Sequence, residues 1–238
     1  MGATMSYMKK MAGLAAALVM GALPAMAQDQ PVVVELFTSQ GCSSCPPADA
    51  YLQELAGRDD VIALALHVDY WDYIGWKDVF ADPAFSARQR SYAKRGGRSM
   101  VYTPQMIING EEQVVGSRPR DVSKVIRKHQ GDLPYVSLTT KRVGDRVEIR
   151  AEAEEPLKDR LTVQLIRYEP RSVVDIKRGE NAGRKLSYAN VVTELTVLTQ
   201  WDTAQPLSLN PTVRGDMPVV VLLQHEGFGP VAAAAQLK

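Results

Sequence analysis

The chain has 238 residues, 45% of them hydrophobic and 23% charged, and 28 basic against 27 acidic side chains give a formal charge of +1. That balance excludes nucleic acid as a partner, which calls for a clustered excess of Lys and Arg. With only two cysteines, Cys42 and Cys45, a multi-bridge disulfide framework is excluded too, and all sulfur chemistry falls in one short stretch.

At the N-terminus, Lys9 and Lys10 precede the apolar run Met11 to Leu23 and the small-residue triplet Ala25-Met26-Ala27. This order of charged, apolar and small residues predicts a cleavable secretory signal over 1–27 and a periplasmic or secreted protein. A permanent anchor needs about 20 apolar residues, so the cleaved chain is expected not to be membrane-embedded. Without Lys9 and Lys10, 26 basic side chains face 27 acidic ones. In an oxidising compartment two cysteines are free to cycle between dithiol and disulfide.

Valine-rich Pro31 to Phe37 reads as a strand buried on both faces. Tyr51, Leu52 and Leu55 at helical spacing predict a helix over Ala48 to Ala56, stopped by Gly57, and Val61 to Val68 is a second buried strand. Strand, helix and strand of these lengths predict a right-handed parallel crossover. Asp82-Pro83 starts a further helix running to about Arg95, where Gly96-Gly97 stops it. Pro104 to Ile108 and Glu112 to Val115 flank Asn109-Gly110, a hairpin signal. Pro119 to His129 is an amphipathic helix with Val122, Val125 and Ile126 inward.

Beyond Leu133 the pattern changes to short alternating runs: Tyr135 to Thr140, Arg146 to Ala153, Leu161 to Tyr168, Ser172 to Ile176, Val191 to Leu198, Val219 to Gln224 and Val231 to Leu237. They predict an antiparallel, sandwich-like sheet. The expected organisation is an α/β domain over 28–131 and a β-rich domain over 132–238.

Cys42 and Cys45 stand where the first strand meets its helix, which suits thiol-disulfide exchange: Cys42 attacks and Cys45 resolves the mixed disulfide. A helix N-terminus favours the Cys42 thiolate, while Asp49 in the first turn opposes it. Two other readings stay open. The pair could be a permanent staple, or Cys42, Cys45 and His67 could hold copper(I), His67 lying at the end of the second strand. Trp71, Tyr73 and Trp76 form a candidate substrate-binding wall against core packing as the alternative. Arg88, Arg90, Lys94, Arg95 and Arg98 read as a solvated helix face. Arg178 to Arg184 reads as a hairpin loop, with an anion or partner site as the alternative.

The stretches ELFTSQGCSSCPPAD, HVDYWDYIGWKD, TPQMIING and RGENAGRKLSYANVV together resemble the exported proteins catalogued as the domain of unknown function 1223 family. The resemblance implies a thioredoxin-like fold for the α/β part, with a β-rich C-terminal part. It also implies a cis peptide before Pro104, with Pro104 lying against the sulfurs and the Thr103 backbone free to pair with an extended substrate, against an ordinary strand entry as the alternative. By the same analogy Glu35, on the strand before the cysteines, is a candidate proton relay for the resolving thiol, against a role as a hydrogen-bonded structural acid. The expected activity is dithiol-disulfide exchange with protein or small-molecule thiols and disulfides, and no cofactor is implied.

Overall fold

The computed structural model describes residues 1–2, 30–131 and 135–238. Most of the expected signal, 1–27, and the expected boundary at 132–134 therefore lie outside the described residues. Strand β1 (Val32–Thr38) leads through a turn to helix α1 (Pro46–Ala56), and β2 (Val61–His67) lies parallel to β1 in register Val32↔Val61 through Thr38↔His67. Every residue of β1 and β2 is buried, as their largely apolar sequences favour, and Glu35, Thr38 and His67 are buried with them. Pro46 and Pro47 occupy the first two helical positions, where a missing N–H costs nothing, and Cys45 is the N-cap.

Helix α2 (Pro83–Arg95) starts where Asp82 accepts the Ala84 N–H at 2.8 Å. Strands β3 (Gln105–Ile108) and β4 (Glu112–Val115) follow, with Asn109 and Gly110 at φ of 47° and 72°, the left-handed pair that a tight hairpin needs. Helix α3 is Pro119–His129.

The C-terminal half contributes β5 (Val136–Val143), β6 (Arg146–Ala153), β7 (Leu161–Asp175), β8 (Lys185–Trp201), β9 (Leu207–Leu209), β10 (Val219–His225) and β11 (Val231–Leu237). Among the described residues, eight strands form one mixed, mostly antiparallel sheet in the order β11-β10-β7-β8-β2-β1-β3-β4, and β5, β6 and β9 form a second. The large sheet thus crosses the boundary expected between the halves, through a parallel bridge from Ala65 to Val191.

Two strands expected as separate, Leu161 to Tyr168 and Ser172 to Ile176, are one strand of 15 residues. Pro170 suggests a break, yet the ladder pairs Glu169 with Val191 and Arg171 with Ala189, so the register runs unshifted past Pro170, which faces Asn190. Asn190 takes φ 48° there, and its side-chain amide donates to Ala63 O of β2 at 2.9 Å. A proline has no N–H to donate, and it is accommodated where the facing residue leaves the extended conformation.

Three apolar clusters hold the layers. Val32, Val34 and Leu36 pack with Ala48, Leu52, Leu55, Val122 and Ile126 under α1 and α3. Val33 and Phe37 point to the other face, with Phe85 and Tyr92 of α2. Val136, Val147 and Ile149 of the small sheet close on Leu161, Val163, Val219 and Val221 of the large one. At about 1.5–3 kcal/mol for each fully buried large apolar side chain, these clusters are the main source of stability. Among the described residues no helix is long and apolar enough to cross a membrane.

Candidate active site

Cys42 and Cys45 are joined as a disulfide, with Cα atoms 5.4 Å apart, and are 1% and 0% exposed. The turn that holds them follows from local bonds: Cys42 N–H donates to Ser39 O, and Cys45 N–H to Cys42 O at 3.3 Å. Ser43 and Ser44 between them are exposed. In this oxidised form the two sulfurs are bonded to each other. Glu111, Glu112 and His129 do bring three potential ligand atoms within 4.8 Å of one another, but Lys128 also bonds Glu112 and already compensates the charge.

The Thr103–Pro104 bond is cis. Thr103 O accepts from Ser44 Oγ at 3.5 Å, and Thr103 Oγ1 accepts from Trp71 Nε1 at 2.7 Å, so the cis loop, the cysteine turn and the aromatic segment are neighbours. Trp71 stacks on Tyr73, which is 81% exposed. Trp76 turns inward to donate to Gln40 Oε1 at 2.8 Å. The aromatic segment packs so closely on the cysteine turn that a Cβ at Gly41 would lie 3.2 Å from Trp71 Cβ and from Ile74 Cδ1.

Glu35 is buried and fully engaged elsewhere. Its carboxylate accepts from Arg88 Nε at 2.6 Å, from Arg88 Nη2 at 3.1 Å and from the Tyr92 hydroxyl. Because side chains alternate along β1, Glu35 shares the α2 face with Val33 and Phe37 and points away from α1, the helix that Cys45 caps. Arg88 accordingly departs from the solvated helix face expected of the basic run: it is 5% exposed, its Nη1 donates to Gln164 at 3.0 Å, and its Nη2 also reaches the Tyr92 hydroxyl and Gln224. Burial pulls the guanidinium down, yet Glu35 and Tyr92 more than reverse this and hold it above its ordinary range. A buried carboxylate requires such a partner, and only tertiary packing names it.

On the α1 face, a group of buried polar side chains adjoins the cysteine turn. Thr38 Oγ1 donates to Asp49 Oδ1 at 2.7 Å. His67, the register partner of Thr38, has Nδ1 2.7 Å from Asp78 Oδ2, which also accepts the Gln40 N–H at 2.8 Å. A carboxylate oxygen accepts, so Nδ1 carries the proton, a tautomer inferred from the bonding. The Tyr188 ring lies edge-on to His67 with centroids 4.9 Å apart. Asp49 Oδ2, His67 Nε2 and Tyr188 OH are buried without hydrogen-bond partners among the described residues. Burial pushes the Asp49 carboxyl up from 3.8 to about 7, against the opposing pull of His67 and the Thr38 hydroxyl and with the help of Asp78. Sequence reasoning treated Asp49 as a plain negative charge; its spacing four residues after Cys45, one turn along the same helix face, was the available signal.

A cavity of about 620 Å³ lies between α2 and the strands β7, β8 and β10, lined by Phe85, Leu195, Val197 and Phe228 among others. None of the sequence-predicted site residues lines it.

No curated protein matches the chain. HBP35 of Porphyromonas gingivalis shares its fold with a TM-score of 0.61 at 15% identity, over 88% of this chain and 75% of that one. A crystal structure of an Agrobacterium tumefaciens protein is similar with a TM-score of 0.75 at 33% identity, over 89% of this chain and 96% of that one. Residues 33–224 match the model of the family described as protein of unknown function (DUF1223), and the chain belongs to that family.

Proposed function

We propose that the chain is an exported thiol-disulfide oxidoreductase whose first half is thioredoxin-like. The observation that carries the reading is the sole cysteine pair at the N-terminus of α1, followed one turn later by the buried Asp49 carboxyl, which burial pushes up to about 7. Perturbed acids of this kind gather where protons are moved. The strand order β2-β1-β3-β4, with α1 after β1 and Thr103 against the cysteine turn, supports the fold assignment.

In this mechanism a partner thiolate attacks Cys42 Sγ, a new S–S bond forms, and the Cys42–Cys45 bond breaks. Cys45 leaves as a thiolate and takes a proton from the Asp49 carboxyl. In the opposite direction the Asp49 carboxylate accepts the Cys45 proton, and the thiolate expels the partner. Asp49, not Glu35, is the proton relay in this reading, because Glu35 is spent on Arg88 across the sheet. Tyr73 and Trp71 offer the partner its apolar contact beside Thr103.

The burial of both sulfurs favours a second reading, a permanent staple. A Cys45→Ser variant decides. With Cys42 free, oxidised glutathione or extract of exported proteins should leave a Cys42-linked adduct that dithiothreitol removes. No adduct from either source, with a native reduction potential below about −300 mV, identifies a staple.

A further inference from the structure

The loop that carries Cys42 is held from outside by a residue of the C-terminal half. Asn181, between β7 and β8, is 1% exposed, and its amide nitrogen donates to Gln40 O at 2.9 Å and Cys42 O at 3.0 Å. A primary amide has two N–H groups, so both are used. Its oxygen accepts from Arg184 Nη1 at 2.9 Å, which fixes the way the amide faces. The β7–β8 loop is itself closed, Gly183 N–H donating to Ile176 O at 2.8 Å and Ala182 N–H to Gly179 O at 3.1 Å. Asn181 therefore reaches out from a folded loop, and a Cβ at neighbouring Gly179 would come within 3.2 Å of Trp76 Cβ.

The same segment is pinned on its other side. Gln40 N–H donates to Asp78 Oδ2 at 2.8 Å, Gly41 N–H to Ser39 Oγ at 3.1 Å, and Cys45 N–H to the Cys42 carbonyl that Asn181 also holds. None of these bonds involves sulfur, so all are available when the disulfide is cut. A backbone that cannot relax keeps the two sulfurs near each other, which is a high effective concentration for intramolecular attack.

We propose that Asn181 is a positioning residue for the cysteine pair: by pinning the Gln40 and Cys42 carbonyls, the β7–β8 loop keeps Cys45 within reach of Cys42 when the bond between them is open. The purpose of this rests on the oxidoreductase reading, but its measurement does not. When a thiolate attacks Cys42 Sγ, one S–S bond forms, the Cys42–Cys45 bond breaks and Cys45 leaves as thiolate. Resolution is the attack of Cys45 on Cys42 Sγ with expulsion of the partner thiolate. Pinning speeds this second step, and it favours disulfide over dithiol.

The test compares the full chain with its Asn181→Ala variant in mixtures of reduced and oxidised glutathione, where two glutathiones give the dithiol and one glutathione disulfide. The variant should shift about tenfold toward dithiol, a potential about 30 mV less negative, and its Cys42-glutathione adduct should live longer in quenched mass spectra. Arg184→Leu, which leaves Asn181 in place but frees its oxygen, should move both readouts the same way by less. An unchanged potential and adduct lifetime overturn the proposal even where Tm falls, since the bonds are then merely structural. If Asn181→Ala does not fold, Asn181→Ser and Arg184→Leu carry the same measurement. Failure of Cys45→Ser to trap an adduct removes the oxidoreductase reading; an absent shift in the Asn181 variants removes this one.

Discussion

Asn181 and Cys42 stand 139 residues apart in the chain and are joined by a 3.0 Å hydrogen bond from the side-chain amide of one to the carbonyl of the other. The C-terminal strands are therefore part of the cysteine site. They reach it because β8 is 17 residues long and runs beside β2 before passing on to the rest of the large sheet.

Asp49 should govern the pH dependence of exchange. In the resolving direction the carboxylate must accept the Cys45 proton, so the rate should rise as pH increases through about 7, and the proton-donating direction should fall over the same range. Asp49→Asn keeps an acceptor for Thr38 but cannot take a proton. We expect resolution above pH 7 to slow on the order of a hundredfold, with loss of the inflection, in stopped-flow thiol exchange. A retained inflection in Asp49→Asn would show that another group moves the proton.

The same residue predicts a stability profile. Its folded-state value of about 7 lies above 3.8, so the folded state binds the proton more tightly than the unfolded chain. That advantage is complete below about pH 4 and is lost as pH rises through 7. At 1.36 kcal/mol per pH unit the difference is about 4 kcal/mol, an upper figure that relaxation of the site reduces. Urea titrations of the oxidised protein between pH 4.5 and 8 should show the wild type losing stability, and Asp49→Asn should be flatter and the more stable of the two at pH 8.

Glu35 and Arg88 form a buried, two-pronged ion pair, and breaking one partner strands the other. Glu35→Gln should cost about 3–5 kcal/mol in denaturant titrations. A double variant, Glu35→Gln with Arg88→Met, should recover part of the loss. Because Glu35 faces away from α1, the pH inflection of exchange should survive in any folded Glu35→Gln protein. Its disappearance would return the relay to Glu35.

Gly110 tests the packing of the β3–β4 turn against the β10–β11 turn. Its φ is 72°, and a Cβ there would clash with Gly229 O, a backbone atom that cannot swing aside. Gly144, at φ 56° with open space around its Cβ position, carries the conformational cost alone. Gly144→Ala should cost about 1 kcal/mol, and Gly110→Ala should add the clash and exceed about 2 kcal/mol. Equal losses in thermal melts would mean that the two turns separate freely.

Much of the architecture was legible because local chemistry dictates it. Asp82-Pro83 starts α2 and Asn109-Gly110 turns β3 into β4. The apolar runs of β1 and β2 are long enough to bury on both faces. The chain written out also identifies the only sulfur pair and, through its resemblance, the Thr103–Pro104 loop beside it. Other features depend on groups that meet only after folding. Arg88 looks like one more exposed base until Glu35 arrives from β1, 53 residues away. Asp49 looks like a charge beside a thiol until Thr38, His67, Asp78 and Tyr188 surround it and take away its water. Asn181 looks like a turn residue until β7 and β8 carry it to the cysteine loop. Periodicity and capping act between near neighbours and are written in order along the chain. Desolvation and long-range hydrogen bonds depend on which distant surfaces are pressed together, and that the tertiary structure alone decides.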